Sequence, residues 1–248
     1  MRRIRNIFAA VKAERYLRQK VRHLMPSLMW SADDEPTLSK KSFDLVLKAA
    51  QEAFMRPIRP HSSEQTKLGD YKFLNVFPGE HYRLLSSIVS VSGAKNVVEI
   101  GTSTGMGTYA IKCAMSQPDA KVTTFDIRSW SEFDSHLSVT DFDLGLITQI
   151  LEDLSEQRSF ENNRGTLNSA DLIFLDGPKD GVFEYRFSRL LTTLEPKPNK
   201  YLILDDIRFL NMSRLWKSIA SPKMDLTSFG HWSGTGLVDI SQSLKIDD

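Results

Sequence analysis

The second half of the chain alternates short runs of β-branched and apolar residues with segments of helical spacing. A strand followed by a helix and another strand predicts a parallel pair with a right-handed crossover. The sequence therefore predicts an α/β fold with a doubly wound, seven-stranded, mostly parallel sheet, to which an antiparallel C-terminal strand adds an edge. The predicted strands are residues 95–101, 121–127, 146–151, 171–177, 200–207, 224–230 and 234–241.

The residues before this alternation divide the chain into two predicted parts. Apolar residues recur with helical spacing over 4–25 and again over 40–55, and prolines and a glycine mark 56–77 as a loop. We therefore predict an N-terminal helical extension over 1–77 and a ligand-binding domain over 78–248. Within that domain, the run 146–151 also fits a short helix.

Charge is concentrated at the N-terminus, where residues 1–25 contain eight lysines and arginines and one acid, although the formal net charge is +1. The overall balance disfavours a nucleic acid as the partner. The basic helix has three interpretations: it packs on the domain or on the second subunit of a homodimer, it lies on an anionic membrane surface, or it contacts a polyanion.

The cysteine content and the hydropathy pattern bear on the compartment. Cys113 is the single cysteine of the sequence, which excludes an internal disulfide. No apolar run reaches the ~18 residues that a membrane span needs. We expect a cytoplasmic protein, with peripheral membrane contact through the basic helix as an addition.

A glycine loop follows the first predicted strand, with the pattern G-x-x-x-G-x-G from Gly101 to Gly107 and an acid, Glu99, two residues before it. Ligands of open α/β sheets bind at the carboxyl ends of the strands, and glycines let a ligand approach the backbone. This spacing differs from the G-x-G-x-x-G of dinucleotide-binding proteins. It resembles the first motif of class I S-adenosylmethionine-dependent methyltransferases, which implies a Rossmann-like fold and S-adenosylmethionine as the cofactor.

The resemblance implies a set of cofactor contacts around this loop. Asp126 ends the second strand, where a carboxylate accepts the ribose hydroxyls. Asp153 follows the third strand and either reaches the adenine amino group or is an acid at a helix N-terminus. Glu99 either binds the ligand or holds the loop by accepting backbone N–H bonds. The predicted cofactor-binding residues are Glu99, Gly101, Thr102, Ser103, Gly105, Asp126, Ile127, Asp153 and Asp176.

Three acids follow the fourth and fifth predicted strands. Asp176 ends one strand, and Asp205 and Asp206 end the next. Neighbouring strands lie ~4.8 Å apart, so these carboxylates are expected to converge. Crowded carboxylates repel one another, and a hard divalent cation such as Mg²⁺, Mn²⁺ or Ca²⁺ removes that repulsion. No histidine or cysteine is expected in the cluster, which argues against zinc.

Together, the glycine loop, the D-x-x-K-D turn from Asp176 to Asp180 and the Asp205-Asp206 pair resemble the cation-dependent O-methyltransferases. Catechol and caffeoyl-coenzyme A O-methyltransferases are the best-known members, and the resemblance covers about residues 78–207. It implies that Asp176, Asp205 and Asp206 bind the metal and that Lys179 is the base. Asp206 replaces the usual Asn, as in macrocin-type sugar O-methyltransferases.

The implied reaction is methylation of a hydroxyl on a small-molecule or glycosyl acceptor with neighbouring hydroxyls. Lys179 accepts a proton only if its pKa falls well below ~10.4, through burial and a nearby cation. Otherwise Lys179 is a solvated turn lysine, and the aspartate pair is a polar strand end. Asp180 is expected to cap the following helix.

Two further interpretations stay open at the level of sequence. The fold can serve a metal-independent methyltransferase, with Lys179 or His231 as base, or a binding protein without turnover. Trp232, next to His231 in a glycine-rich turn, either stacks on the acceptor or plugs the sheet. His81 and Tyr82, in the helix before the first strand, are expected to be packing residues, although the resemblance implies that this region borders the cofactor.

Overall fold

A computed structural model describes residues 38–59, 72–143, 145–209 and 211–247. The predicted basic helix over 4–25, and with it the membrane and dimer contacts, lies outside these residues. Within the described ranges, no helix is long and apolar enough to cross a membrane.

Strands and helices alternate along the chain as the hydrophobic pattern predicts. The strands are β1 (Asn96–Ile100), β2 (Lys121–Asp126), β3 (Ile147–Leu151), β4 (Leu172–Leu175), β5 (Tyr201–Asp205), β6 (Lys223–Asp225) and β7 (Thr235–Asp239). The helices are α1 (Lys40–Met55), α2 (Tyr82–Ser92), α3 (Met106–Ala114), α4 (Val139–Asp143), α5 (Gln157–Asn162), α6 (Arg164–Ser169), α7 (Phe183–Leu191) and α8 (Met212–Ser218). Single 3₁₀ turns occupy Phe73–Asn75 and Trp130–Glu132.

The strands form one seven-stranded sheet in the order β3-β2-β1-β4-β5-β7-β6. β1 to β5 run parallel, and β7 runs antiparallel between β5 and β6. The predicted fold class is therefore confirmed, and residues 147–151 form a strand rather than a helix. The strand order reverses between β1 and β4, the position where open α/β sheets bind their ligands.

Both faces of the sheet are covered. Alternate side chains of β4 enter opposite hydrophobic clusters: Leu172 and Phe174 join one, and Ile173 and Leu175 join the other. Because both faces are buried, the central strands read as continuous apolar runs.

Helix α1 belongs to this core although it precedes the predicted domain. Val46 and Ala49 are fully buried in the cluster that contains α2, and the Ser42 hydroxyl donates to Asp239 Oδ2 at 2.9 Å. The division at residue 77 therefore does not separate two cores within the described residues.

The structure differs from the predicted elements at one strand and at three short helices, of which α4 buries only Asp141. The strand predicted over 224–230 is only Lys223–Asp225, because Asp225 Oδ1 accepts the backbone N–H of Thr227 at 2.9 Å and turns the chain. Helices α5 and α6 had no counterpart in the sequence prediction. Each buries a single large apolar residue, Phe160 or Leu167, so no apolar periodicity marks it.

Candidate active site

A cavity of about 730 Å³ opens at the carboxyl ends of β1, β2 and β4. Seven of the nine predicted cofactor-binding residues line it, and Glu99 and Gly105 do not. The lining residues among them are Gly101, Thr102, Ser103, Asp126, Ile127, Asp153 and Asp176. The cavity therefore lies where the sequence predicts a cofactor, with two of the predicted residues behind its wall.

The glycine loop has this course because two of its glycines combine a positive φ with no room for a side chain. Gly101 has φ +99°, and a Cβ there would lie 2.0 Å from the backbone oxygen of Asp176. Gly105 has φ +80°, and a Cβ there would meet Leu137 at 2.4 Å. Gly101 thus brings β1 against the turn after β4, and Gly105 supports the loop from behind.

The Asp126 carboxylate ties the end of β2 to the glycine loop. Its Oδ2 accepts the backbone N–H of Ser103 at 2.9 Å, and its Oδ1 accepts that of Arg128 at 3.0 Å. These bonds hold a carboxylate on the cavity wall in a fixed orientation.

The Glu99 carboxylate lies under the loop, with 1% of the residue exposed. The hydroxyls of Thr108 and Thr124 donate to it, the latter at 2.6 Å. Burial raises the pKa of Glu99 to about 8. Neither predicted role, ligand contact or acceptance of backbone N–H groups, matches these contacts. Glu99 instead links β1 to α3 and β2 from inside the core.

Asp153 lines the cavity at the end of β3. Its Oδ1 accepts the backbone N–H of Ser155 at 2.8 Å, and the next helix begins only at Gln157. The alternative of an acid in the first turn of a helix is therefore wrong, and Asp153 remains a wall residue of the cavity.

Three carboxylates surround one ammonium group beside the cavity. Lys179 Nζ contacts Asp176 Oδ1 and lies 3.6 Å from Asp205 Oδ2 and 3.4 Å from Asp206 Oδ2. The structure thus brings together the three acids that the sequence places after β4 and β5. Oxygens from three carboxylates around one positive charge are a donor set that suits a hard divalent cation.

The turn that carries Lys179 is held rigidly by a buried acid, Glu184 on α7. Its Oε1 accepts the backbone N–H of Lys179 at 2.6 Å, and its Oε2 accepts that of Gly181 at 3.1 Å. Lys179 and Asp206 both have left-handed backbones, with φ of 62° and 58°. Glu184 is not among the residues predicted from the sequence, and its signal there is its position three residues after Gly181, at the start of α7.

Two histidines complete the cluster on the other side of Asp205. His81 Nδ1 lies 3.2 Å from Asp205 Oδ1, and His231 Nδ1 lies 3.3 Å from the same oxygen. The segment before α2 reaches this point because Gly79 exchanges backbone bonds with the turn between β6 and β7. The expectation that no histidine joins the cluster is therefore wrong, and His81 is more than a packing residue.

Charge pairing dominates the protonation of this cluster. Burial lowers the pKa of Lys179, but Asp176 and Asp205 outweigh it and raise that pKa above its usual range. Burial likewise lowers the pKa of His231, and hydrogen bonds to Asp205 and Asp206 raise it to about 10. Burial raises the pKa of Asp205, while His81, His231 and Lys179 bring it well below its usual value. The expected fall in the pKa of Lys179 is thus reversed in this geometry.

Three other residues considered in the sequence are Trp232, Tyr82 and Asp180. Trp232 is 70% exposed, so it does not plug the sheet. Tyr82 lines the cavity. Asp180 Oδ1 accepts the backbone N–H groups of Val182 and Phe183 at 2.8 and 2.9 Å, which is the expected cap of α7.

Comparison with known proteins identifies one matching family model and several similar proteins. The model, described as O-methyltransferase, matches residues 63–198, more than half of the chain. Tricin synthase 2 from Oryza sativa subsp. japonica is 31% identical over 182 residues. That alignment covers 67% of this chain but only 58% of the relative, less than two thirds of its length.

Two solved structures are similar at lower identity. An O-methyltransferase from Streptomyces achromogenes involved in tomaymycin synthesis, in complex with S-adenosylmethionine, has a TM-score of 0.43 at 17% identity and covers 90% of this chain and 94% of its own. A methyltransferase from Podospora anserina, bound to S-adenosylhomocysteine, has a TM-score of 0.44 at 14% identity and covers 87% and 99%. The family match contains the glycine loop, Asp126 and the Lys179 turn, and it ends before Asp205.

Proposed function

Because this chain belongs to the O-methyltransferase family, we propose that it transfers the methyl group of S-adenosylmethionine to a hydroxyl oxygen of a small-molecule or glycosyl acceptor. One observation carries this proposal. Asp176 lines the cavity and also contacts Lys179, so the cavity and the carboxylate cluster meet at a single residue. A methyl donor in the cavity and an acceptor at the cluster would therefore be neighbours, as a displacement at carbon requires.

The cavity wall supplies groups of the right kind for this cofactor. The Asp126 carboxylate is fixed by two backbone N–H groups and has remaining lone pairs for ribose hydroxyls. Asp153 and residues 101–104 also line the cavity. The bound cofactor supplies an electrophilic methyl group on a sulfonium, and the chain orients it and excludes water.

We further propose that Asp176, Asp205 and Asp206 hold a divalent cation, Mg²⁺ or alternatively Mn²⁺ or Ca²⁺. Such an ion would lower the pKa of an acceptor hydroxyl and would favour acceptors with two adjacent oxygens. Support for this proposal comes from the three carboxylate oxygens, which already surround a cation, the ammonium of Lys179. With Asp206 in place of Asn, the set has three carboxyl groups.

Lys179 is the group that takes the proton from the acceptor in this proposal. While its ammonium contacts the carboxylates, the raised pKa keeps it protonated. If another cation neutralised Asp176 and Asp205, Lys179 would lose that stabilisation, and its burial would then lower the pKa. The base role of Lys179 therefore depends on occupation of the carboxylates.

A second candidate, a methyltransferase of the same fold that needs no metal, is favoured by the charge balance of the cluster. The three carboxylates face three basic side chains, Lys179, His81 and His231. The carboxylates raise the pKa of both histidines against the effect of burial, so the basic side chains offset the acids without any bound ion. In that case the cationic groups would orient the acceptor, and a chelator would leave turnover unchanged.

Isothermal titration calorimetry tests the cofactor part of the proposal. We expect wild type to bind S-adenosylmethionine and Asp126→Ala to bind it at least ~10-fold more weakly, since it loses a preorganised carboxylate. The control is Asp119→Ala, an exposed acid paired with Lys95 before β2. Absence of binding to wild type contradicts the cofactor assignment.

Transfer of a labelled methyl group to a panel of catechols and sugars with vicinal hydroxyls tests the reaction and the metal. We expect turnover that EDTA abolishes and Mg²⁺ restores. Turnover that is insensitive to EDTA selects the metal-free candidate. Cofactor binding without methylation of any panel member selects the interpretation of a binding protein without turnover.

A further inference from the structure

We propose that the chain has a second cation site, formed by His81, Asp205 and His231, which takes a transition-metal ion such as Zn²⁺ or Co²⁺. It lies beside the Asp176, Asp205 and Asp206 cluster and shares one carboxylate with it. The inference goes beyond the proposed methyl transfer and does not depend on it.

The three ligand atoms are spaced for a small coordination shell. His81 Nδ1 and His231 Nδ1 lie 3.2 and 3.3 Å from Asp205 Oδ1, and all three atoms are within 4.8 Å of one another. Two ligands bound at ~2.0–2.1 Å in a tetrahedral shell are about 3.3 Å apart. Two of the three separations therefore already match a zinc-type shell.

The two sites use different oxygens of Asp205. Oδ1 faces the two imidazoles, and Oδ2 faces the Lys179 ammonium at 3.6 Å. Asp205 is 3% exposed and lies at the end of β5, so backbone and core fix its orientation. The carboxylate can thus serve both sites without rotating.

His81 gives an independent indication that a ligand belongs here. The residue is 2% exposed, and among the described residues neither of its ring nitrogens makes a hydrogen bond of normal geometry. Buried polar atoms are almost always bonded, and an ion that completes the site is one explanation for those that are not. A metal on Nδ1 would satisfy one of the two nitrogens.

Two further contacts support His231 as a metal ligand: that of its Nε2 with Glu80 and that of its Nδ1 with Ser233. His231 Nε2 lies 3.6 Å from Glu80 Oε2, so a carboxylate stands beside the ring nitrogen that the metal would leave free. The Ser233 hydroxyl donates to Asp206 and also lies 2.8 Å from His231 Nδ1. Ser233 can keep its bond to Asp206 when that nitrogen binds a metal.

The ligand types separate the two sites by metal. Imidazole nitrogens suit Zn²⁺, Cu²⁺, Fe²⁺ and Ni²⁺, whereas carboxylates alone suit Mg²⁺ and Ca²⁺. Two histidines and one carboxylate also leave a coordination position open, the pattern of zinc sites that accept a further ligand. We therefore assign transition metals to the His81 side and hard cations to the Lys179 side.

Cobalt spectroscopy of the full chain, freed of metals by a chelator, tests the assignment. We expect one Co²⁺ per chain with the intense visible absorption of a four-coordinate site that contains nitrogen ligands. Zn²⁺ should displace it at equimolar concentration, and excess Mg²⁺ should not. A weak six-coordinate spectrum, as an all-oxygen site produces, overturns the proposal.

Matched variants locate the ion. His81→Gln and His231→Gln should each weaken Co²⁺ binding at least ~10-fold, whereas His136→Gln, a histidine outside the cluster, should not. Asp176→Asn should keep the Co²⁺ spectrum, whether or not it binds Mg²⁺, so this test is separate from the proposed function. If His81→Gln does not fold, His231→Gln decides, because its ring is partly exposed. Unchanged Co²⁺ affinity in folded His231→Gln overturns the site.

Discussion

The hydroxyl of Thr124 on β2 donates a hydrogen bond of 2.6 Å to the buried carboxylate of Glu99 on β1. Burial raises the pKa of this carboxyl from 4.5 to about 8. Between these values the folded state holds a proton that the unfolded state has released, so stability falls as the pH rises through this window. Above about pH 8 both states are ionised and the loss is complete.

We predict that Glu99→Gln, which keeps the shape and stays neutral, removes this pH dependence. The variant should match wild type near pH 4.5 and exceed it by roughly 2–5 kcal/mol at pH 8.5. Denaturant unfolding at a series of pH values measures the difference, with Glu195→Gln in an exposed loop as the control. Parallel stability curves for wild type and Glu99→Gln would contradict a buried, proton-holding carboxyl.

The glycine loop gives a second prediction. Gly101→Ala forces a side chain into a left-handed backbone and within 2.0 Å of the Asp176 carbonyl oxygen. We expect a loss of about 2 kcal/mol or more of stability, together with weaker S-adenosylmethionine binding. Thermal unfolding and calorimetry measure the two effects.

Gly165→Ala provides the matched control for this substitution. Gly165 is in α6, and a Cβ there meets nothing within 4 Å, so alanine should stabilise the chain by up to about 1 kcal/mol. A Gly101→Ala chain as stable as wild type would mean that the loop does not pack against β4 in solution.

The part of the site that lies at the ends of the strands could be predicted from the sequence. The acids after β2, β4 and β5 fall at one sheet edge because the strands are parallel, and a strand can be read from its local apolar run. His81 could not be found in this way. It is far from Asp205 in the sequence, and only the pairing of Gly79 with the turn between β6 and β7 brings it there.

The direction of the pKa shift of Lys179 could not be predicted from the local sequence, for a different reason. Whether its pKa rises or falls depends on the balance of burial against charges from two strands and a turn, which is a property of distances. The small helices α5 and α6 were missed because their stability comes from packing of one side chain each. An element with periodic burial along the chain can be predicted from the sequence. An element that depends on a single buried contact cannot.

The third prediction tests whether Asp180 is a helix cap or a metal ligand. Asp180→Ala removes the acceptor for the backbone N–H groups of Val182 and Phe183 and should cost about 1 kcal/mol. Asp180→Asn should retain most of that stability. Both variants should bind Mg²⁺ like wild type, and a lost Mg²⁺ site in Asp180→Asn would assign this carboxylate to the metal instead.

The fourth prediction compares two tryptophans. Trp232→Ala should change stability by less than about 0.5 kcal/mol, because its side chain is 70% exposed. Trp216→Ala should cost about 3–5 kcal/mol, because Trp216 is 7% exposed and packs on Gly236. Chemical denaturation measures both. A strongly destabilised Trp232→Ala would show that the exposed ring has a packing role in solution.

The fifth prediction concerns competition for the carboxylates. The Lys179 ammonium lies among Asp176, Asp205 and Asp206, where a divalent cation is proposed to bind. Removing that charge in Lys179→Met leaves the three acids more strongly negative, so they should attract an added cation more strongly. We expect the metal-free variant to unfold at a lower temperature than wild type, and Mg²⁺ to raise its melting temperature more than it does for wild type.

Calorimetric titration with Mg²⁺ should give about 10-fold tighter binding to Lys179→Met than to wild type, a difference of about 1.4 kcal/mol. The control is Lys197→Met, whose ammonium pairs with Asp171 at 2.6 Å before β4. That variant removes an equal charge far from the cluster, so its Mg²⁺ affinity should equal that of wild type. Equal or weaker binding to Lys179→Met would mean that the ammonium and the cation do not share one position. The three carboxylates would then be ionic partners of Lys179 and not ligands of a divalent cation.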